Sequence, residues 1–163
     1  MSELLSAYEV LNIAQTIEQN GATFYRDAAR LHPETDDTRF LLQLAAMEDD
    51  HKKTFAAMQR SLGPVPQVDD DFLTQIDRYL KAVSDSANLE GSVFASYLFT
   101  GDESLSDIVM VGIDLEKETI LYYVGLKDLF TKNEDISLID TIIGEEKKHI
   151  ATLAEEYQKL KRK

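Results

Sequence analysis

The feature that most restricts the fold of this chain is an internal duplication of polar residues set in helical periodicity. Glu18, Tyr25, Glu48 and His51 recur without a gap as Glu116, Tyr123, Glu146 and His149, each 98 residues further along a chain of 163. Each half reads as a segment with one embedded glutamate, followed by a segment carrying Glu-x-x-His: Glu48-Asp49-Asp50-His51, then Glu146-Lys147-Lys148-His149. Apolar residues flank these positions at three- and four-residue spacing, the period of a helix that lies on a core. Leu11, Ala14, Glu18, Gly21, Ala22 and Tyr25 share one stripe, and Leu41, Leu44, Glu48, His51, Phe55, Met58 and Leu62 share a second. Val109, Gly112, Glu116, Ile120, Tyr123 and Phe130 form the third, and Ile139, Ile142, Glu146, His149 and Leu153 the fourth. The glutamates and histidines interrupt these faces near the helix middles, so four helices packed on them bring the polar groups to one level.

The punctuation agrees with an all-helical chain, since only seven glycines and three prolines break it. The spacing predicts a first helix from about Glu3 to Arg30, stopped ahead of His32-Pro33 because the residue before proline is pushed out of the helical region. Thr35 to Thr38 offers caps for a second helix that ends near Leu62, where Gly63 and Pro64 are stop signals. The short connection makes the two antiparallel neighbours. From Pro64 to Asp102 the pattern weakens through Asp69-Asp70-Asp71, an amphipathic stretch from Phe72 to Val83 and an apolar one from Val93 to Phe99, read here as a partly helical crossover. Ser104 and Asp107 form a candidate capping box for a third helix reaching about Phe130. Lys132 to Asp135 reads as a turn, and the last helix runs from about Ser137 into the basic tail. The expected architecture is a four-helix bundle with a long crossover between its second and third helices, occupying residues 1–163 as one domain.

Four ionised carboxylates inside an apolar bundle are strongly disfavoured unless something compensates them. Two divalent cations would carry +4 against the −4 of Glu18, Glu48, Glu116 and Glu146, with neutral His51 and His149 filling further coordination positions. The mixed oxygen and imidazole set suits iron or manganese, and zinc would fit the same donors without redox chemistry. Tyr25 and Tyr123 share the inward stripes and are candidates to hydrogen-bond the ligating carboxylates. Asp49, Asp50, Glu145, Lys147 and Lys148 fall off those stripes and read as a solvated face.

Composition narrows the function. With no cysteine, the chain has no thiol nucleophile, thiolate zinc site, iron–sulfur cluster or rubredoxin-type centre of its own. A formal net charge of −13, with a basic cluster only at Lys159 to Lys163, argues against a nucleic-acid partner. The N-terminus lacks the basic region and apolar core of a signal peptide, and the apolar stretches are too short to span a bilayer, so a cytoplasmic protein without a membrane partner is expected.

The segments I-E-Q-N-G-A-T-F-Y, M-E-D-D-H, L-E-K-E-T-I-L-Y-Y and E-E-K-K-H resemble the rubrerythrin branch of the ferritin-like superfamily. That resemblance implies a di-iron centre in which Glu48 and Glu146 bridge the metals while Glu18 with His51, and Glu116 with His149, supply terminal ligands. It further implies reduction of hydrogen peroxide or dioxygen, an external electron donor such as rubredoxin or a flavoprotein, and a homodimer. The alternative within the superfamily is an iron-binding or storage protein without sustained redox turnover. Rubrerythrins carry an additional glutamate three residues before the third-helix ligand, where this chain has Ile113.

Overall fold

The computed structural model describes residues 7–31, 33, 36–62, 99–127 and 132–162. Four helices carry these residues: α1 (Ala7–Leu31), α2 (Asp36–Ser61), α3 (Leu105–Lys127) and α4 (Asn133–Lys161). The first and second pack as one hairpin, the third and fourth as another. His32 and residues 64–98 of the expected crossover, with its Asp69 to Asp71 run, lie outside the described residues.

Local chemistry explains where the second hairpin begins. The Asp107 backbone N–H donates to Ser104 Oγ at 3.2 Å while the Ser104 backbone N–H donates to Asp107 Oδ2 at 2.9 Å, the reciprocal capping box that the sequence predicts. Just ahead of it, Gly101 turns the chain at φ +99°, a conformation that side chains rarely tolerate. Its backbone N–H and that of Thr100 both donate to the Glu103 carboxylate, which these bonds hold down at about 2. The α4 start differs from expectation. Asn133, Glu134 and Asp135 are helical, and the turn expected over Lys132 to Asp135 shrinks to the cap residue Lys132, whose carbonyl accepts from Ile136 N–H at 3.1 Å. Two acidic residues in the first turn complement the helix dipole, a tendency that outweighs the turn preference of Asn and Asp.

Packing sorts the bundle into three layers. One apolar cluster joins Leu11, Ala14 and Ile17 of α1 to Phe55 of α2, Tyr122 and Tyr123 of α3, and Ile139, Ile142 and Ile143 of α4. The other joins Phe24, Tyr25, Ala28 and Ala29 to Leu41, Leu44 and Ala45, to Leu105, Ile108, Val109 and Ile113, and to Leu153. In sequence the metal-ligand candidates fall between the two clusters on every helix. The order of the clusters along each helix shows that α1 and α4 run one way and α2 and α3 the other. Consequently α2 ends at one end of the bundle and α3 begins at the opposite end, roughly 39 Å away for a 26-residue helix.

Helices of a bundle bury more than a single stripe, and the core contains residues the stripes omit: Ile17, Phe24, Ile108, Thr119, Tyr122 and Ile143. Leu62, expected on the second stripe, is exposed because α2 ends at Ser61 and the helical period no longer governs its direction.

Candidate metal centre

Glu18, Glu48, Glu116 and Glu146 are between 1 and 7% exposed, one from each helix. His149 is buried with them, whereas the His51 side chain is 13% exposed. Donor atoms of Glu18, Glu48, His51 and His149 lie within 4.8 Å of one another, and so do those of Glu116, Glu146 and His149. The structure thus brings together all six Glu and His residues singled out by the duplication. His149 Nδ1 is 3.3 Å from both Glu48 Oε1 and Glu116 Oε1, and 3.6 Å from Glu146 Oε2. His51 Nδ1 lies 3.6 Å from Glu18 Oε2. The two imidazoles stack nearly parallel, their centroids 3.9 Å apart with 7° between the planes.

Electrostatics identify the layer as one that needs cations. Burial raises all four carboxyls well above the usual glutamate range, and neighbouring carboxylates add to the push: Glu146 on Glu18, Glu18 on Glu48, Glu48 on Glu116, and Glu116 on Glu146. Burial also lowers both imidazoles; His149, which faces His51 as well, falls to about 3. The contacts of His149 with its carboxyl neighbours are therefore hydrogen-bonding geometry around a neutral ring, and not ion pairs. Both oxygens of Glu18, both oxygens of Glu146 and His51 Nδ1 are buried without a hydrogen-bond partner among the described residues. Orphaned ligand atoms of this type on α1, α2 and α4, converging with the Glu116 carboxyl of α3, fit a pair of divalent ions that would supply both the missing contacts and the missing charge.

Small residues set the close approaches. An added Cβ at Gly112 would stand 2.4 Å from the Tyr25 hydroxyl, and one at Gly21 would stand 3.1 Å from Glu48 Cδ. These two helix-interior glycines let a phenol and a carboxylate press against neighbouring backbone. Tyr25 and Tyr123 are both buried, and burial with nearby glutamates raises both hydroxyls well above the ordinary phenol value. The Tyr123 hydroxyl finds no partner among the described residues.

One residue placed on the solvated face belongs partly to the site. Glu145 Oε2 lies 3.5 Å from His51 Nε2, and its Oε1 accepts from Lys148 Nζ at 2.6 Å. Helical phase alone turns Glu145 away from the stripe of its own helix, but a glutamate is long enough to reach a ring on the facing hairpin. The signal in the sequence was the carboxylate immediately before Glu146. Asp49, Asp50, Lys147 and Lys148 do lie on the outer faces, with Asp49 paired to Arg26 and Asp50 to Lys53.

Comparison with known proteins agrees with this geometry. No protein of curated function matches the chain. A solved structure from Thermotoga maritima, described as that of a ferritin-like diiron-carboxylate protein, superposes with a TM-score of 0.56 over 94% of this chain and 95% of its own, at 23% identity. The shared fold is therefore the ferritin-like four-helix bundle. Among the described residues no helix is long and apolar enough to cross a membrane. The sequence profile of the rubrerythrins matches residues 9–157, and with nearly the whole chain matched, this protein belongs to the rubrerythrin family.

Proposed function

We propose that the protein is a di-iron carboxylate oxidoreductase that reduces hydrogen peroxide or dioxygen with electrons from an external donor. The observation that carries this reading is the layer itself: four buried carboxyls and two neutral imidazoles, with oxygens of Glu18 and Glu146 left unpaired. Glu18, Glu48 and His51 would hold one ion, and Glu116, Glu146 and His149 the other, with Glu48 and Glu146 as the shared ligands. Bound iron would supply one-electron steps toward peroxide or dioxygen.

The chain contributes the environment. The clusters around Phe55 and Tyr123 on one side, and Tyr25 and Leu44 on the other, keep bulk water from the carboxylates and so strengthen every interaction within the layer. The near neighbours of the Glu18 and Glu146 carboxyls are the other carboxyls of the layer, with no hydroxyl or N–H donor bonded to them among the described residues, so they could turn as the charge they face changes. Tyr25, passing over Gly112, and Tyr123 stand ready to donate to ligating carboxylates. In this reading the electrons come from an external donor such as rubredoxin or a flavoprotein, in line with a sequence that offers no thiolate-ligated relay among its own residues. The homodimer and the cytoplasmic setting expected from the sequence are part of the same reading.

Anaerobic mixing tests it. Iron-loaded, reduced protein given hydrogen peroxide should oxidise once per site and stop, then resume when a reductant is added. Oxidation that proceeds with dioxygen but leaves ferric iron as growing mineral would replace this reading with iron storage. Absence of any peroxide- or dioxygen-dependent oxidation would overturn it.

A further inference from the structure

The duplication that repeats six donor residues does not repeat the residue ahead of each Glu-x-x-His. Glu145 precedes Glu146, whereas Met47 stands in the corresponding place, 98 residues earlier, before Glu48. The consequence falls across the bundle, on the opposite hairpin's histidine. His51 turns its buried Nδ1 inward, where it has no hydrogen-bond partner among the described residues, and presents Nε2 to Glu145 Oε2 at 3.5 Å. His149 also turns Nδ1 toward the carboxyls, but its Nε2 is buried with no hydrogen-bond partner among the described residues.

An imidazole that ligates through Nδ1 carries its proton on Nε2, and a carboxylate accepting that proton fixes the tautomer, pins the ring and makes the nitrogen a stronger ligand. The Glu145 carboxylate is suited to this. Lys148 Nζ donates to one of its oxygens at 2.6 Å and so anchors the carboxylate while the other oxygen faces His51. A methionine thioether carries no charge and accepts only weakly.

We propose that Glu145 is a positioning residue for His51, and that Met47 in the matching place leaves His149 without one, so that the two divalent-cation positions are inequivalent and the His51 position fills first. This rests on the di-metal reading of the preceding subsection. Its content is an asymmetry that the shared donor set does not require.

Cobalt(II) under anaerobic conditions is a suitable probe, followed by calorimetric titration and by proton NMR of the exchangeable imidazole N–H resonances shifted by the metal. The wild-type chain should bind in two steps of distinct affinity, with one N–H resonance slow to exchange. Glu145→Ala should weaken the tighter step roughly 10- to 100-fold, leave the weaker step in place and make the slow resonance exchange rapidly. Glu145→Gln, whose amide oxygen still accepts, should recover part of the affinity, an outcome that a purely structural role would not produce. Met47→Glu should tighten the weaker step, and it decides the matter alone if Glu145→Ala does not fold. Two equal steps in the wild type, a tight step unmoved in Glu145→Ala, or a weaker step unmoved in Met47→Glu would each overturn the proposal and leave the di-metal reading intact. Fewer than two cobalt ions per wild-type chain would instead overturn the reading beneath it.

Discussion

The two hairpins present the same donors in different frames. In the α1–α2 hairpin polar pairs link the two helices beside an exposed Leu42: Arg26 pairs with Asp49, Lys52 donates to Gln19, and Gln59 bonds both Gln15 and the Tyr8 carbonyl. In the α3–α4 hairpin the positions corresponding to Asn12, Thr23 and Arg26 are Met110, Leu121 and Val124, all exposed. The inner faces diverge too. Gly21, beside the Glu48 carboxylate, corresponds to Thr119, a buried residue whose hydroxyl donates to Leu115 O at 3.1 Å. Ala14 corresponds to Gly112, the residue that makes room for the Tyr25 hydroxyl. The lesson is physical: a ligand layer fixes a few side chains per helix and the depth at which they sit, and it leaves the remaining positions to whatever packs or solvates well.

The strongest challenge to that comparison is to delete matched ligands. Glu48→Ala and Glu146→Ala should each lower metal content from about two ions per chain to one or fewer, as read by elemental analysis. The wild-type protein should gain on the order of 2.7 kcal/mol for each ion bound at a metal concentration 100 times Kd, a rise in Tm of roughly 5–10 °C per ion for a chain of this size. Loss of metal in one variant with full loading in the other would show that only one half builds the site.

Acidity offers the next largest effect. A carboxyl raised by burial contributes its stability below its unfolded value near 4.5 and loses it as pH climbs through the folded value; a lowered imidazole contributes above 6.5 and loses its share as pH falls toward the folded value, about 3 for His149. The two act oppositely between those limits, but above about 6.5 the histidines are silent, and the remaining loss is that of the raised carboxyls as they ionise against burial. Metal-free protein should therefore melt at progressively lower temperature as pH rises from about 6.5 to 8.5, while the metal-loaded protein should not, so that the gap between them widens. A parallel decline in both forms would mean that the layer is not where the charge accumulates.

The unmatched glycines sharpen the comparison at smaller scale. Gly112→Ala would force a methyl against the hydroxyl of a fully packed tyrosine, and should cost up to about 2 kcal/mol after the gain in helix propensity. Gly21→Ala meets a carboxylate that can turn, and should change stability by less than about 1 kcal/mol while altering metal affinity. Chemical denaturation of the metal-free variants distinguishes the two; equal costs would place the strain elsewhere.

The smallest effect should come from exchanging the outer faces. Val124→Arg, which gives the second hairpin the residue of the first, should stay within about 0.5 kcal/mol of wild type. Arg26→Ala, which removes a partly exposed pair with Asp49, should cost no more than about 1 kcal/mol.

The layer was legible in the sequence because each candidate ligand breaks an apolar stripe, and because the break occurs twice at one offset. What the stripes could not reveal are relations between helices. Glu145 points off its own stripe, so only the position of the other hairpin brings it to His51. Tyr122 neighbours Tyr123 in sequence, yet both are buried, since a bundle helix is covered over a wider arc than one line of residues. Likewise the role of Gly112 is set by a tyrosine on α1, which nothing near Gly112 in the sequence announces. The misplaced start of α4 is of another kind, a contest between two local preferences of the same residues.

Each hairpin brings half of the donors, one glutamate and one Glu-x-x-His. A two-helix peptide pairing with its own copy about a twofold axis would in principle assemble the same six, so the candidate metal layer by itself has no use for a covalent connection between halves. Joining them changes what is possible. A symmetric pair must place the same side chain opposite both histidines, either a carboxylate twice or a thioether twice. Only within a single chain can Glu145 face one ring while Met47 holds the matching place for the other, and through that freedom two donor sets of the same composition could come to hold their ions unequally.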